Sequence, residues 1–242
     1  MMPKLMPYSK DLPYGYATGV FPSHALLDAR PDLAKRLLIH SAALDSEGVS
    51  ALIARCEALG IRMETADHAL SRISRKENCY AAIVFDKFDG TLSPSASHIV
   101  LHHPADMGNL GTILRTCLGF GIKDLAIIHP AADVFDPRVV RASMGALFSM
   151  RIAYFDSFEA YRETAAEHAP YPFMLDGSLP LDEATMVKQS PFSLIFGNEG
   201  SGLPASFSTV GQPVRIVHSN EIDSLNLAIA VSIGVYAFTR ES

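Results

Sequence analysis

Six polar residues in the second half of the chain stand where apolar runs give way to glycine-rich turns or helix starts. They are Asn109, Arg115, Asn198, Glu199, Ser224 and Asn226. Side chains at the ends of buried elements face ligands more often than cores, so the pattern points to an enzyme rather than a scaffold. Several chemistries are excluded by spacing. There is no HExxH or Cys/His cluster for a metal, no GxSxG nucleophile turn, and no P-loop lysine after GNLG at 108–111. Nine histidines are present. The adjacent pair His102-His103 should face opposite sides of a strand and so cannot readily chelate together.

The residues fall in three segments. In the first, 106–121, Asn109 suits a helix N-cap, and Leu110, Ile113, Leu114, Cys117 and Leu118 form a core-facing stripe. Arg115 lies off that stripe, which fits either a site residue or a solvated arginine. In the second, the apolar run 194–196 enters GNEGSGLP, where three glycines in six residues let backbone turn tightly or approach closely. Asn198 and Glu199 lie inside that turn. The third segment, 214–233, is a short strand, a polar loop and a helix read as opening at Ser224. Its body is apolar nearly all round apart from Asn226 and Ser232, as expected of a helix buried partly against a second subunit. A fourth stretch, 136–150, carries Arg138 and Arg141 and reads most simply as a surface helix.

The elements that position these residues are legible as runs. Near-continuous apolar strands are expected at 98–103, 124–129, 150–155, 171–175, 193–197 and 214–217, alternating with helical patterns. That order means an α/β domain with a parallel sheet covered on both faces. Before the polar stretch 89–97, helices are expected at 23–29 and 50–60, the latter capped by Ser50, with Leu52, Ile53, Cys56 and Leu59 as its stripe and Gly60 at its end. Strands are expected at 37–40 and 80–85. The chain therefore divides into a small α/β domain, 1–92, and a larger one, 93–242.

The chain has 242 residues, 48% of them apolar, and a net charge of −6. Residues 1–92 balance eleven basic against eleven acidic side chains, and residues 93–242 hold nine against fifteen. Such acidity disfavours broad, non-specific binding to nucleic acid, which rests on phosphate neutralisation. Three cysteines without CxxC spacing suit a reducing compartment. With no apolar leader and no span long enough for a bilayer, the expectation is a cytoplasmic protein without membrane contact.

Taken together, the motifs resemble those of the SpoU/TrmH family of RNA ribose 2′-O-methyltransferases. The family's N-x-G-x-I-x-R appears as Asn109-Leu-Gly-Thr-Ile-Leu-Arg115, FGNEGSGL stands intact at 196–203, and S-L-N is Ser224-Leu225-Asn226. The run RASMG at 141–145 is a further family element. The likeness is strong over 97–240 and fainter over 14–90. It implies a catalytic domain tied in a deep trefoil knot, a small N-terminal domain of ribosomal-protein type that binds substrate, and a homodimer. The implied cofactor is S-adenosyl-L-methionine, held by Gly197, Asn198, Gly200, Ile216, Val217, His218, Ser224 and Leu225. The implied catalytic set is Arg115, Asn109, Glu199, Ser224 and Asn226, acting on a ribose 2′-hydroxyl of rRNA or tRNA. Arg72, Arg75 and Lys76, with Arg138 and Arg141, are the expected RNA contacts, and no metal is expected. One departure stands out: many members carry I-P-M-x-G where this chain has Ile216-Val-His-Ser-Asn220. The alternative function is a non-catalytic RNA-binding or assembly factor that keeps the fold.

Overall fold

A computed structural model describes residues 5–73 and 79–240. In chain order its elements are β1 (Tyr14–Thr18), α1 (Val20–Ala29), β2 (Ala34–Ile39), α2 (Glu47–Ala58), β3 (Arg62–Thr65), α3 (Asp67–Ile73) and β4 (Ala81–Asp86). There follow β5 (His98–His102), α4 (Met107–Gly119), β6 (Asp124–Ile128), α5 (Pro137–Ala142), β7 (Arg151–Phe155) and α6 (Phe158–Thr164). The chain finishes with β8 (Ala169–Pro172), β9 (Leu179–Pro180), α7 (Leu181–Met186), β10 (Phe192–Phe196), β11 (Val214–Arg215) and α8 (Leu227–Thr239).

These elements form two compact units, and the division is not the expected one. The first unit takes residues 1–88 together with 133–149, and the second takes 89–132 and 150–242. The segment carrying Arg138 and Arg141 thus packs with the N-terminal residues, because its apolar side chains complete that unit's core. Val139, Val140, Leu147 and Phe148 are buried there, and the Phe148 ring meets the Phe85 ring edge-on at 5.0 Å. Gly145, at φ 84°, lies so close to α1 that a Cβ would stand 2.3 Å from the Ala25 methyl carbon.

In the first unit the sheet runs β1-β4-β2-β3, antiparallel except for the parallel pair β2/β3. β1 was not expected, since Gly15 weakens its strand signal. The Phe85 ring fills the space over Gly15, its register partner, where a Cβ would approach within 2.7 Å. Helix α2 begins at Glu47 after Ser46 rather than at Ser50, whose hydroxyl donates to Leu44 O at 3.2 Å. Its buried face is Val49, Leu52 and Cys56, whereas Leu59 is 49% exposed. Arg72 is exposed in the last turn of α3, and Arg75 and Lys76 lie outside the described residues.

The second unit holds a five-stranded, wholly parallel sheet in the order β7-β6-β5-β10-β8. Its three central strands, β6, β5 and β10, are buried along nearly their whole length, as parallel strands covered on both faces must be, while the edge strands β7 and β8 are partly exposed. One face packs Val100, Ala126, Ile128 and Ile195 against Phe158 and Tyr161 of α6. α8 packs on β10 and on α4. Gly234 permits that approach, since a Cβ there would come within 2.8 Å of the Phe173 ring. No helix among the described residues is long and apolar enough to cross a membrane.

Candidate active site

From β5 the chain proceeds outward through β6 to β7, and from β10 its neighbour on the other side is β8. The gap between the carboxyl ends of β5 and β10 is therefore the point where strand order reverses, a common place for ligands in parallel sheets. Two loops meet there, 103–106 after β5 and 197–203 after β10.

The second loop is a tight turn. Asn198 and Gly202 exchange backbone hydrogen bonds, and a Cβ on Gly197 would lie 2.1 Å from the Gly202 carbonyl carbon. The Asn198 side chain holds the turn from inside, accepting from Gly200 N at 2.9 Å and donating to His103 O at 2.8 Å. Glu199 reaches across to the first loop. Its carboxylate accepts from Ala105 N at 3.1 Å, Asp106 N at 3.0 Å, and the Asn109 and Asn198 amides at 3.3 Å each. Burial pushes the Glu199 carboxyl up. The bonds from Asp106, its own N–H, Ala105 and Asn109 outweigh that, and the group sits below the usual carboxylate range. Glu199 is thus a fixed anion that ties two loops, with its lone pairs engaged.

Asn109 is the next link. It is not the N-cap: Asp106 is, accepting Asn109 N at 2.7 Å, which leaves the Asn109 side chain free to work sideways. The Asn226 amide donates to Asn109 Oδ1 at 2.9 Å. Asn226 in turn is the N-cap of α8, accepting from Ala228 N at 2.9 Å, so the helix opens at 227 and not at Ser224. The three segments are joined in one chain of hydrogen bonds, Glu199 to Asn109 to Asn226. Arg115 stands apart. It is exposed on α4 with Gly108 and Thr112 and makes no hydrogen bond or ion pair among the described residues. Leu118 is only half-buried in the core stripe.

Beside this network lies a cavity of about 440 Å³. Gly197, Asn198, Gly200, Ile216, His218, Ser224 and Leu225 line it, as does Glu199. Val217 does not: it is 70% exposed and faces a separate groove along α7 and α8. Phe173, Phe196, Leu203, Leu227 and Ala230 add apolar wall, and Asp176 adds a carboxylate at the rim. Phe173 and Asp176 were not singled out from sequence. They follow β8, a strand whose Ala-Pro-Tyr-Pro composition gives no motif. Among the described residues no group of three or more His, Cys, Asp or Glu is placed to hold a metal ion.

Residues 96–236 match the family model described as the SpoU rRNA methylase family. The chain belongs to the SpoU rRNA methylase family. One relative, an uncharacterised tRNA/rRNA methyltransferase of Synechocystis sp., is 30% identical over 66% of this chain and 60% of its own length. Another, the 23S rRNA (uridine(2479)-2′-O)-methyltransferase of Streptomyces viridochromogenes, is 30% identical over 59% of this chain and 52% of its own. The matches thus span about half to three fifths of these relatives. The AdoMet-bound rRNA methyltransferase of Sinorhizobium meliloti aligns over 93% of this chain and 87% of that one, with a TM-score of 0.78 and 27% identity. The SpoU methyltransferase AviRb of Streptomyces viridochromogenes aligns over 94% of this chain and 89% of that one, with a TM-score of 0.79 and 21% identity, so the α/β fold with its parallel sheet is that of SpoU methyltransferases.

Proposed function

We propose that this protein transfers a methyl group from S-adenosyl-L-methionine to a ribose 2′-hydroxyl of rRNA or tRNA. The observation that carries the reading is the Glu199–Asn109–Asn226 network, which joins three separate segments beside one cavity. The cavity suits the cofactor: its walls are apolar rings and aliphatic side chains for an adenine, and Ser224, Asp176 and His218 offer polar groups at the edge. The close approach at Gly197 keeps the wall pure backbone there. The names of the Synechocystis and Streptomyces relatives and the AdoMet-bound neighbour support the same cofactor and substrate class.

When bound, the cofactor supplies a methyl group already activated on a sulfonium. The protein must then orient the ribose and stabilise its oxygen as the hydroxyl proton passes to solvent water. Glu199, with Asn109, fixes the loop after β5. The Arg115 guanidinium stabilises the developing alkoxide electrostatically. Asn226 sets the start of α8 against α4 through Asn109, and Ser224 lines the cavity just before it. The reading also includes a deep trefoil knot. The turn after β10 and the segment 216–227 wall the same cavity while α8 returns onto β10 and α4, which supports that threading.

The reading extends to a homodimer in the cytoplasm. Ile229 and Tyr236 on α8 are each 51% exposed, and Phe120 of α4 meets Tyr236 at 5.8 Å, an apolar strip suited to a second copy. The N-terminal unit, with exposed Arg72 and Arg141, is read as the RNA-recognising part. Arg138 is less available, since Asp136 grips its guanidinium at 2.8 and 2.9 Å. The deciding experiment incubates the protein with labelled S-adenosylmethionine and total RNA from a strain lacking it, then maps 2′-O-methylation by nucleotide. Cofactor binding with no transfer to any RNA would replace this reading by the non-catalytic RNA-binding one.

A further inference from the structure

The carboxyl edge of the sheet carries a second feature, one or two strands away from the Glu199 network. Neighbouring strand ends are latched by backbone bonds, His103 N to Ile128 O at 3.2 Å and His129 N to Phe155 O at 2.9 Å. Rings are set along this edge on three adjacent strands. His103, at φ 58°, bends back so that its ring stacks on His102 at 3.7 Å and 28°, contrary to the opposite-facing arrangement expected of strand neighbours. A positive φ in a non-glycine residue is uncommon and concentrates at functional positions. On the next strand end, the His129 ring lies nearly parallel to Tyr154, at 4.9 Å and 14°. Tyr154 is half-buried and held by a hydrogen bond from its hydroxyl to Ala132 O at 3.0 Å. His129 itself is exposed.

A flat ring kept exposed by a second, anchored ring is an unusual use of aromatic surface, which normally seeks burial. It suits a planar ligand. Single-stranded RNA is bound by stacking its unpaired bases on Tyr, His, Phe or Trp faces. We infer that His129, backed by Tyr154, is a stacking shelf for a nucleobase of the RNA substrate flanking the nucleotide whose ribose is methylated. The inference rests on the RNA-methyltransferase reading for its substrate and on ring geometry for its place. The shelf and the Glu199 network share one edge of one sheet, so a single strand can touch both.

The test uses the full chain with His129→Ala and His129→Phe, and total RNA from a strain lacking the protein as probe. Affinity for that RNA is measured without methyl donor, and methyl incorporation is measured as RNA concentration varies. His129→Ala should weaken RNA affinity and raise the RNA KM by about five- to a hundredfold, the range found for losing one base stack. The rate at saturation and the affinity for S-adenosylmethionine should stay unchanged. His129→Phe should recover most of the loss, because it restores a flat face without the imidazole nitrogens. An RNA affinity within twofold of wild type for His129→Ala would overturn the shelf. So would His129→Phe as impaired as His129→Ala with the same melting temperature. Wild-type protein that binds RNA but incorporates no methyl groups would remove the methyltransferase reading, and the shelf would then be judged on the affinity change alone.

Discussion

At the scale of single residues, the proposed mechanism separates positioning from charge stabilisation. Glu199 is fully occupied in holding two loops, while Arg115 is exposed and free of partners among the described residues. Arg115→Ala should therefore cut methyl transfer by ~10²–10⁴-fold, the usual contribution of such a group. Calorimetry should show S-adenosylmethionine affinity nearly unchanged, because Arg115 does not line the cavity. Retention of more than about a tenth of the wild-type rate would remove Arg115 from the mechanism. Gly197 gives a different prediction. A methyl group there would meet backbone at 2.1 Å, so Gly197→Ala should destabilise by at least ~1–3 kcal/mol in urea unfolding and abolish cofactor binding. Wild-type stability in that variant would refute the close approach. These residues were readable from sequence because glycine and polar types interrupt apolar runs. The caps were not. Asp106 and Asn109 are both cap-competent, as are Ser224 and Asn226, and tertiary partners decide between them. Asn109 is drawn away by Glu199, and Asn226 is both cap and bridge.

At the scale of elements, the parallel strands β5, β6, β7 and β10 announce themselves as mainly apolar runs, whereas β1 and the edge strand β3 do not. β3, Arg-Met-Glu-Thr, is exposed at both ends and half-buried between them, and Glu64 on it pairs with Arg36 of β2 at 2.9 Å. The amino ends of the parallel strands hold a polar cluster that no local pattern reveals. His98 Nδ1 meets the Tyr161 hydroxyl at 3.1 Å, Tyr161 meets Ser193 at 2.5 Å, and Ser193 meets His168 Nδ1 at 3.0 Å. The two imidazoles lie 4.3 Å apart. Burial is the main cause that holds both below the ordinary histidine value. The Ser93 and Pro94 carbonyls oppose it in part, and the charge of His168 on His98 adds to it. The unfolded chain takes up protons near the ordinary histidine value, ~6.5, where the folded chain resists them. Stability should thus be full above that pH and decline as pH falls below it, levelling only once the folded imidazoles protonate. Melting temperatures recorded from pH 8 to pH 5 check this, and a flat profile would show that the pair titrates normally.

At the scale of the whole molecule, the apolar strip on α8 and α4 predicts self-association. Sedimentation should find a dimer at micromolar concentration, and Ile229→Glu with Tyr236→Glu should shift it to monomer without unfolding it. A wild-type monomer under those conditions would refute the strip as an interface. The division into units changes what truncation can achieve. Removing residues 1–88 alone strips the cover from Val139, Val140, Leu147 and Phe148, so a chain starting at 89 should aggregate. Replacing 133–149 by a short linker as well should restore a soluble protein that binds S-adenosylmethionine in calorimetry. Equal solubility of the two truncations would contradict the packing of that segment. Sequence could not reveal the excursion, because a stretch reading as an ordinary connecting helix says nothing about which sheet it covers. It also has a bearing on synthesis. A nascent chain that has left the ribosome only as far as residue 88 still lacks the side chains that seal the sheet β1-β4-β2-β3. Sixty-one further residues, 89–149, must be translated before they arrive, several seconds at roughly 5–20 residues per second. For that interval the apolar underside of β1 and β4 stands open in the cell, and chaperones that shield such surfaces have their natural moment of engagement there.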